Sequence, residues 1–186
     1  MTPGKVLILF ASREGQTARI ANRLSEHLLE AGVDVDLVDA ADSARTSEIN
    51  PGAYDLLVFG ASMHLGGLER ELVHFVNSQA DQISRQPRSF FLVLLSAATK
   101  DPLIRAEWLA DARGKMQQAL SVDFPDTEMV AGALSYSKYS LPVRWLMRKI
   151  AGQVGADTDT ARDYEYTDWA QVRHYAGRLR DRLREK

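Results

Sequence analysis

Residues 12–17 (SREGQT) form a short polar turn between an apolar run and a helical pattern. The hydroxyls of Ser12 and Thr17 can donate hydrogen bonds from the two ends of this turn, and Gly15 allows a ligand to approach the backbone closely. A helix that starts after such a turn presents free N–H groups and the positive end of its dipole to an anion. These features suit a phosphate group, and they suit equally well an ordinary strand-to-helix turn with a hydroxyl cap.

The elements that would hold this turn follow from the hydrophobic pattern. Short apolar or alternating runs predict five strands, at residues 6–10, 33–38, 54–60, 89–95 and 128–134. Apolar residues at spacings of three and four predict helices at residues 17–31, 68–76, 102–120 and 168–184. Strands that alternate with helices indicate an α/β fold, a doubly wound five-stranded parallel sheet with helices on both faces. A ligand of such a sheet is expected at the carboxyl ends of the strands, near the point where the strand order reverses.

Three local patterns add detail to this outline. Residues 40–52 are polar and are predicted to be a connection. Asp101 and Asp168 are placed to cap the helices that follow them, Asp168 together with Gln171. The helix at 102–120 is predicted to pack through an apolar stripe, which consists of Leu103, Ala106, Leu109, Ala110 and Met116.

The absence of two phosphate-binding motifs narrows the choice of phosphate ligand. Neither the dinucleotide pattern G-x-G-x-x-G nor the nucleotidase pattern G-x-x-x-x-G-K-S/T occurs. A hydroxyl-rich turn with a single glycine suits a monophosphate that is bound without Mg²⁺. In a sheet with the flavodoxin-like strand order, that monophosphate is FMN.

Composition excludes several classes of function. Cys 0 rules out disulfides, thiolate metal sites, iron–sulfur clusters and a cysteine nucleophile, so redox chemistry requires a bound cofactor. The net charge of -2 gives no general attraction for a polyanion, so nucleic-acid binding is not expected. No cluster of His, Asp and Glu has metal-ligand spacing and no G-x-S-x-G elbow is present, so neither a metal site nor hydrolase chemistry is expected. The length of 186 residues suits a single domain, 1–186, with an insertion at about 135–155.

The insertion separates the last predicted strand from the last helix and is strongly basic. Residues 135–150 (SYSKYSLPVRWLMRKI) contain several Lys and Arg residues and no acid, and Pro142 suits the first turn of a helix. In one interpretation this is a surface helix that packs on the domain through Val143, Leu146, Met147 and Ile150. In the other interpretation it contacts a membrane surface or grips a substrate. The residues predicted for that contact are Tyr136, Lys138, Tyr139, Arg144, Trp145 and Arg148.

Four segments make the chain resemble a known family. The turn in LILFASREGQT (7–17) resembles the phosphate loop of flavodoxins. It is followed by VFGASMHLG (58–66), VAGALSYSKY (130–139) and TDTARDYEYTDWAQV (158–172). In this order and spacing, the segments resemble the menaquinone-dependent protoporphyrinogen IX oxidases, a flavodoxin-like family. They run from the first strand to the last helix, so the resemblance covers nearly the whole chain.

The resemblance implies an FMN site built from the loops after three strands. By position, its residues are Ser12, Arg13, Glu14, Gly15, Gln16 and Thr17 in the phosphate loop, Ala61, Ser62, Met63, His64, Leu65 and Gly66 in the second loop, and Ser96, Ala97, Ala98 and Thr99 in the third. The third loop matches the family pattern only loosely. Family members have a basic residue and a Tyr where this chain has His64 and Leu65. Shielding of the flavin ring by Met63 or Leu65 is therefore the alternative to an aromatic stack. No catalytic acid or base is assigned.

The function that the resemblance implies is oxidation of protoporphyrinogen IX to protoporphyrin IX in heme biosynthesis. FMN would take the electrons, and menaquinone or ubiquinone would receive them. The expected location is the cytoplasm, with peripheral association at the inner face of the cell membrane and an anionic membrane surface as partner. A homo-oligomer is left open. The longest apolar stretch, residues 90–98, is too short to span a bilayer, which takes ~20 residues.

Three alternatives stay open on the sequence alone. They are an electron-carrier flavodoxin, a flavodoxin-like NAD(P)H:quinone reductase, and an FMN-free scaffold docked at a membrane. A carrier is expected to be strongly acidic around its flavin to attract basic partners, whereas this chain carries a basic, aromatic insertion. No nicotinamide site is recognisable in the sequence. The visible spectrum of the purified protein would separate the scaffold from the two flavoproteins.

Overall fold

The computed structural model describes residues 4–63, 67–138, 140–154 and 156–185. The strands are β1 (Lys5–Phe10), β2 (Asp34–Asp39), β3 (Leu56–Ser62), β4 (Arg88–Leu94), β5 (Thr127–Ala131), β6 (Ala133–Leu134) and β7 (Tyr164–Glu165). The α-helices are α1 (Gln16–Glu30), α2 (Ser43–Glu48), α3 (Arg70–Ser78), α4 (Ala80–Ser84), α5 (Pro102–Ala119), α6 (Leu141–Val154) and α7 (Trp169–Arg184). Short 3-10 helices occur at Pro51–Ala53, Leu95–Ala98 and Tyr136–Lys138.

The first five strands form one parallel sheet in the order β2-β1-β3-β4-β5. Val6 of β1 pairs with Val35 of β2 on one side and with Leu56 of β3 on the other. The chain therefore winds outward in both directions from β1, and the carboxyl ends of β1 and β3 flank the switch point. The predicted five-stranded, doubly wound α/β sheet is confirmed.

Central-strand side chains alternate between two buried layers. In β1, Leu7 and Leu9 join the cluster formed with α3 and α5, whereas Val6 and Ile8 join the cluster formed with α1 and α7. All four side chains have no exposed surface. Because helices cover both faces, the strand must be apolar at every position, which is why it reads as an unbroken hydrophobic run.

Two of the predicted assignments are wrong. Residues 40–52 contain α2, whose first turn is capped by Asp42 through a hydrogen bond of 3.1 Å from the Arg45 backbone N–H. The strand predicted at 128–134 is two strands, because β5 ends at Ala131 and β6 pairs with β7 in a separate antiparallel sheet. The break falls at Gly132, where an added Cβ would lie 3.1 Å from the Val93 side chain.

The helix caps follow the sequence prediction, with one exception. Asp101 accepts hydrogen bonds from the backbone at the start of α5, and Asp168 does the same at the start of α7. Gln171 does not return a bond to Asp168. Its side-chain amide donates instead to Glu128 Oε1 (2.6 Å) and to the Met129 carbonyl oxygen (2.9 Å), which ties α7 to β5.

The apolar stripe predicted for α5 is wrong over the first half of the helix. Leu103 is 81% exposed, and Ala106 and Ala110 are exposed as well. The helix meets the core through Ala112 and Met116, with Leu109 packed at the edge of the cluster. The first two turns therefore project beyond the core.

Residues 133–166, hereafter the insertion unit, have a small core of their own. Leu134, Tyr136 and Ala151 are fully buried there, and Tyr164 and Tyr166 pack against them. The predicted insertion at about 135–155 lies within this unit, which continues to the β6–β7 pairing. Among the described residues, no helix combines the length and the apolar character that crossing a bilayer requires.

Candidate functional site

A cleft opens at the carboxyl ends of β1, β3 and β4, where the fold predicts a ligand. It is lined by Ser12, Glu14, Gln16, Thr17, Ser62, Met63, Val93, Leu94, Leu95, Gly132, Ala133 and Met147. The phosphate loop and the second loop predicted from the sequence therefore meet in one place. Met147 belongs to α6, so the insertion unit supplies a wall that an ordinary sheet of this kind lacks.

The phosphate loop is held open by Gly15, which has a φ of 99°. A residue with a side chain rarely adopts this conformation, so glycine is strongly favoured here. The Gly15 backbone N–H donates to Ser12 Oγ at 3.1 Å, which leaves the Ser12 hydroxyl proton able to donate to a ligand. The first N–H groups of α1 have no partner within the helix, and the helix begins at Gln16 and Thr17, which line the cleft.

The start of α1 is anchored to the far end of the chain. The side-chain amide of Gln16 donates to Thr167 Oγ1 at 2.8 Å and to Glu165 Oε1 at 2.9 Å. Thr167 in turn donates to the carbonyl oxygen of Ala131 at 2.7 Å. This chain of bonds fixes the phosphate loop relative to the end of β5.

The second loop is anchored by a buried carboxylate. Ser62 Oγ donates to Glu69 Oε1 at 2.6 Å, and the Ser62 backbone N–H reaches Glu69 Oε2 at 3.3 Å. Glu69 is only 2% exposed, and no pattern in the sequence singled it out. Met63 lines the cleft and also packs against the core, as a residue shielding a flat apolar ligand would. The predicted contacts His64, Leu65 and Gly66 lie outside the described residues.

The third loop contributes different residues from those predicted. Leu94 and Leu95 line the cleft, whereas Ala97 and Ala98 line a separate depression. Thr99 is buried, and its hydroxyl has no hydrogen-bond partner among the described residues. Residues 96–99 turn away because they form the 3-10 helix and its end, directly after β4.

The residues predicted for membrane or substrate contact are divided between the interior and the surface. Tyr136 is fully buried and donates to the Asp157 carbonyl oxygen at 2.9 Å, so the expectation of an exposed aromatic at this position is wrong. Lys138 reaches the phosphate loop, where its Nζ donates to the Glu14 carbonyl oxygen at 2.7 Å. Arg13 of that loop is exposed. Tyr139 lies outside the described residues.

The apolar stripe predicted for α6 is correct at Met147 and wrong at two other positions, and the side chain of the fourth predicted residue, Ile150, lies outside the described part of the structure. Val143 and Leu146 are exposed, and the inward positions are Arg144, Met147 and Ala151. Arg144 is half-buried, and its buried Nε has no hydrogen-bond partner among the described residues. The exposed side of α6 also includes Leu141 and Trp145, which are 78% and 67% exposed. Arg148 is exposed on the same helix.

Hydrogen bonding and burial shift the pKa of several groups in the insertion unit. The Ser137 hydroxyl and backbone N–H donate to Asp163 at 2.6 and 2.8 Å, which lowers the pKa of that carboxyl. Burial raises the pKa of Tyr166 to about 12, and burial also raises the pKa of Tyr136. Both phenols therefore remain neutral near pH 7.

The donor set of the cleft fits FMN. The Ser12 hydroxyl and the N-terminus of α1 suit a phosphate. Met63, Leu94, Leu95 and Met147 offer apolar contacts for a flat ring. Within the described part of the chain, no group of three or more His, Asp or Glu residues is arranged to hold a metal ion. A hydroxyl-bearing phosphate loop on a sheet of this strand order defines a flavodoxin-type flavin-binding domain.

Comparison with known proteins agrees with this class. The family model of the flavodoxin domain matches residues 7–161. Protoporphyrinogen IX dehydrogenase (quinone) of Escherichia coli strain K12 is 30% identical over 184 residues, covering 92% of each chain. The protein of the same name from Leishmania major is 28% identical over 173 residues, covering 92% of this chain and 73% of that one. A flavodoxin of Streptococcus pneumoniae TIGR4 shares the fold, with a TM-score of 0.55 at 15% identity over 96% of this chain and 99% of that chain.

The chain belongs to the flavodoxin domain family and, within it, to the family of the quinone-dependent protoporphyrinogen IX dehydrogenases. The resemblance drawn from the four sequence segments is thereby confirmed. FMN as the cofactor and oxidoreductase as the class of enzyme are confirmed with it.

Proposed function

We propose that this chain oxidises protoporphyrinogen IX to protoporphyrin IX, with FMN as cofactor and a respiratory quinone as electron acceptor. The observation that carries the proposal is the match to the dehydrogenases, which extends through the insertion unit that borders the cleft. When bound, FMN takes up electrons in pairs and passes them on. Complete oxidation removes six electrons and six protons from the substrate, so three two-electron rounds are needed.

The protein's own residues position the cofactor and exclude water. Ser12, Gly15 and Thr17 surround the phosphate position at the start of α1. Leu95 and Met147 form an apolar wall of the cleft. This wall would keep water away from the flavin ring and so limit side reactions of reduced FMN.

Arg144 is the residue that best fits the substrate. It lies one helical turn from Met147, on the inward face of α6, and the residue is half-buried, with an Nε that has no hydrogen-bond partner among the described residues. The substrate carries two propionate groups, and a guanidinium binds a carboxylate through two parallel hydrogen bonds. We assign Arg144 to one of these carboxylates.

The exposed side of α6, which adjoins its inward face, fits an anionic lipid surface. Leu141 and Trp145 are largely exposed, and Arg148 is exposed beside them. Apolar and aromatic side chains that insert between headgroups, next to a cation that meets anionic lipid, are typical of an interfacial helix. Leu103 and Ile104 add exposed apolar surface on α5, and both helices contact the 3-10 helix Leu95–Ala98. This arrangement would hold the cleft at the inner face of the cell membrane, where menaquinone or ubiquinone is dissolved.

The insertion unit is tied to the sheet by the packing of Leu95 and by the Lys138 hydrogen bond. We therefore propose that residues 1–186 are one domain, with the insertion as part of its site.

A steady-state assay tests the proposed function. FMN-loaded protein is mixed anaerobically with protoporphyrinogen IX and either a menaquinone or a ubiquinone analogue, and porphyrin fluorescence is followed. The proposal predicts porphyrin formation that depends on both protein and quinone. Porphyrin formation no faster than without protein would refute it. Quinone reduction driven by NAD(P)H instead would favour the reductase alternative.

A further inference from the structure

Lys138 lies at the phosphate loop, although it belongs to the insertion unit. Its Nζ donates a hydrogen bond of 2.7 Å to the Glu14 carbonyl oxygen, across 124 positions of sequence. The same Nζ lies 3.6 Å from the place that a Cβ on Gly15 would occupy. The ammonium group is therefore beside the residue that directly precedes α1.

The backbone around Lys138 is fixed by contacts on its N-terminal side. Tyr136 is buried in the core of the insertion unit. Ser137 makes two hydrogen bonds to Asp163, from its backbone N–H and from its hydroxyl. The Lys138 backbone N–H donates to the Ser135 carbonyl oxygen at 2.9 Å. The 3-10 helix Tyr136–Lys138 is thus held where the lysine side chain reaches the loop.

An ammonium group at this place can bind the loop and a phosphate at the same time. It has three N–H donors, and the bond to Glu14 uses one of them. Ser12, Gly15 and Thr17 offer a phosphate dianion neutral donors only, and Arg13, the cation within the loop itself, is exposed. Arg19, the nearest cation of α1 in sequence, is engaged with Glu165 at 3.2 Å and lies over the Trp169 ring.

We infer that Lys138 is a ligand of the FMN phosphate, so that cofactor binding and the position of the insertion unit are coupled. The inference rests on FMN being the cofactor. It adds a charged contact from outside the phosphate loop, and it makes the phosphate a link between the sheet and the helix that borders the cleft. The dephosphorylated flavin, riboflavin, cannot form this link.

The test compares FMN with riboflavin on apoprotein variants by quenching of flavin fluorescence. Lys138→Gln is expected to weaken FMN binding about tenfold, as loss of a charge-assisted hydrogen bond would, and to leave riboflavin binding unchanged. The difference between wild type and variant shrinks as salt is raised, because screening weakens the exposed charge pair. Lys138→Arg retains most of the affinity for FMN.

Lys149→Gln is the matched control. It removes the same charge from the same unit, but its ammonium lies 6.0 Å from the centre of the Trp145 ring and not at the loop. A second readout is amide hydrogen exchange in α6, which FMN is expected to slow in wild type and riboflavin is not.

The two hypotheses fail in different ways. If wild-type apoprotein binds no FMN, the proposed function and this inference both fail. If wild type binds FMN and Lys138→Gln weakens it no more than Lys149→Gln does, only the inference is overturned. A parallel loss of FMN and riboflavin affinity also overturns it, because that result assigns Lys138 a general structural role.

Discussion

Gln16 and Thr167 are 151 positions apart in the chain and are joined by a hydrogen bond of 2.8 Å from Gln16 Nε2 to Thr167 Oγ1. Thr167 passes the connection to the end of β5 through its bond to the Ala131 carbonyl oxygen. The first residue of α1 is therefore fixed by a residue just before α7. The shape of the phosphate loop depends on this contact as well as on the local sequence.

Replacing Thr167 by Val keeps the volume of the side chain and removes both hydrogen bonds. The buried Ala131 carbonyl then lacks one partner, so unfolding free energy is expected to fall by about 1–3 kcal/mol. FMN affinity should fall several-fold, because Gln16 loses an anchor. Urea unfolding and flavin titration measure the two effects. Thr158→Val, at an exposed position, serves as the control. Equal unfolding free energies and FMN affinities of the two variants would contradict the anchoring role of Thr167.

Gly15→Ala tests the backbone conformation of the phosphate loop. The added Cβ meets only ordinary contacts. The free energy of unfolding is therefore expected to fall by about 1–2 kcal/mol because alanine is strained at the φ of 99°. Gly177→Ala is the opposite case, because Gly177 is within α7 and an added Cβ meets no atom within 4 Å. That change should stabilise the protein by about 0.5–1 kcal/mol. Thermal unfolding of the two apoproteins should therefore shift in opposite directions.

Alkaline pH is expected to destabilise the protein through Tyr175. This phenol is 1% exposed and shares a hydrogen bond of 2.6 Å with Ser89, and burial raises its pKa far above the ordinary value. In the unfolded chain it ionises at about 10. Above that pH the unfolded state releases a proton that the folded state keeps, so stability falls as pH rises from about 10, and below it this contribution is constant.

Urea unfolding across this pH range, in wild type and in Tyr175→Phe, measures the effect. The variant should lose stability less steeply with rising pH, because it has no proton to release at that position. Identical slopes for the two proteins would contradict the assignment.

Arg144→Gln tests the two faces of α6. The variant is expected to raise KM for protoporphyrinogen IX at least tenfold, because a carboxylate loses a charged partner. Arg173→Gln, on the exposed side of α7, is the control and should leave KM unchanged.

Trp145→Ser, on the outward face of α6, should weaken binding to anionic liposomes more than Arg144→Gln does. If Trp145→Ser raised KM and Arg144→Gln weakened liposome binding instead, the assignment of substrate and lipid to the two faces would be wrong.

The amino-acid sequence predicts correctly those elements whose structure is determined by residues close to one another in the chain. The apolar run of β1 and the aspartates that cap α5 and α7 are each determined by neighbours within a few residues, and all three were predicted. Ser12, Glu14, Gln16 and Thr17 were placed in the site for the same reason, since the strand–turn–helix unit that carries them is contiguous.

The errors concern contacts between distant parts of the chain. Leu103 fits the apolar period of α5 and is nevertheless exposed, because the core does not extend beneath the start of that helix. Tyr136 has the character of an interfacial aromatic but is buried by Tyr164, which follows much later. Neither the approach of Lys138 to Glu14 nor the pairing of Ser62 with Glu69 leaves a periodic or motif signal.

A single-turnover experiment measures whether electrons pass from protoporphyrinogen IX to the bound flavin. FMN-loaded protein is mixed with protoporphyrinogen IX without oxygen or quinone, and flavin absorbance and porphyrin fluorescence are recorded together in a stopped-flow instrument. The oxidised flavin band is expected to disappear on mixing and to recover, with porphyrin formation, when a quinone is added. An oxidised flavin band that persists with excess protoporphyrinogen IX would contradict the proposed function.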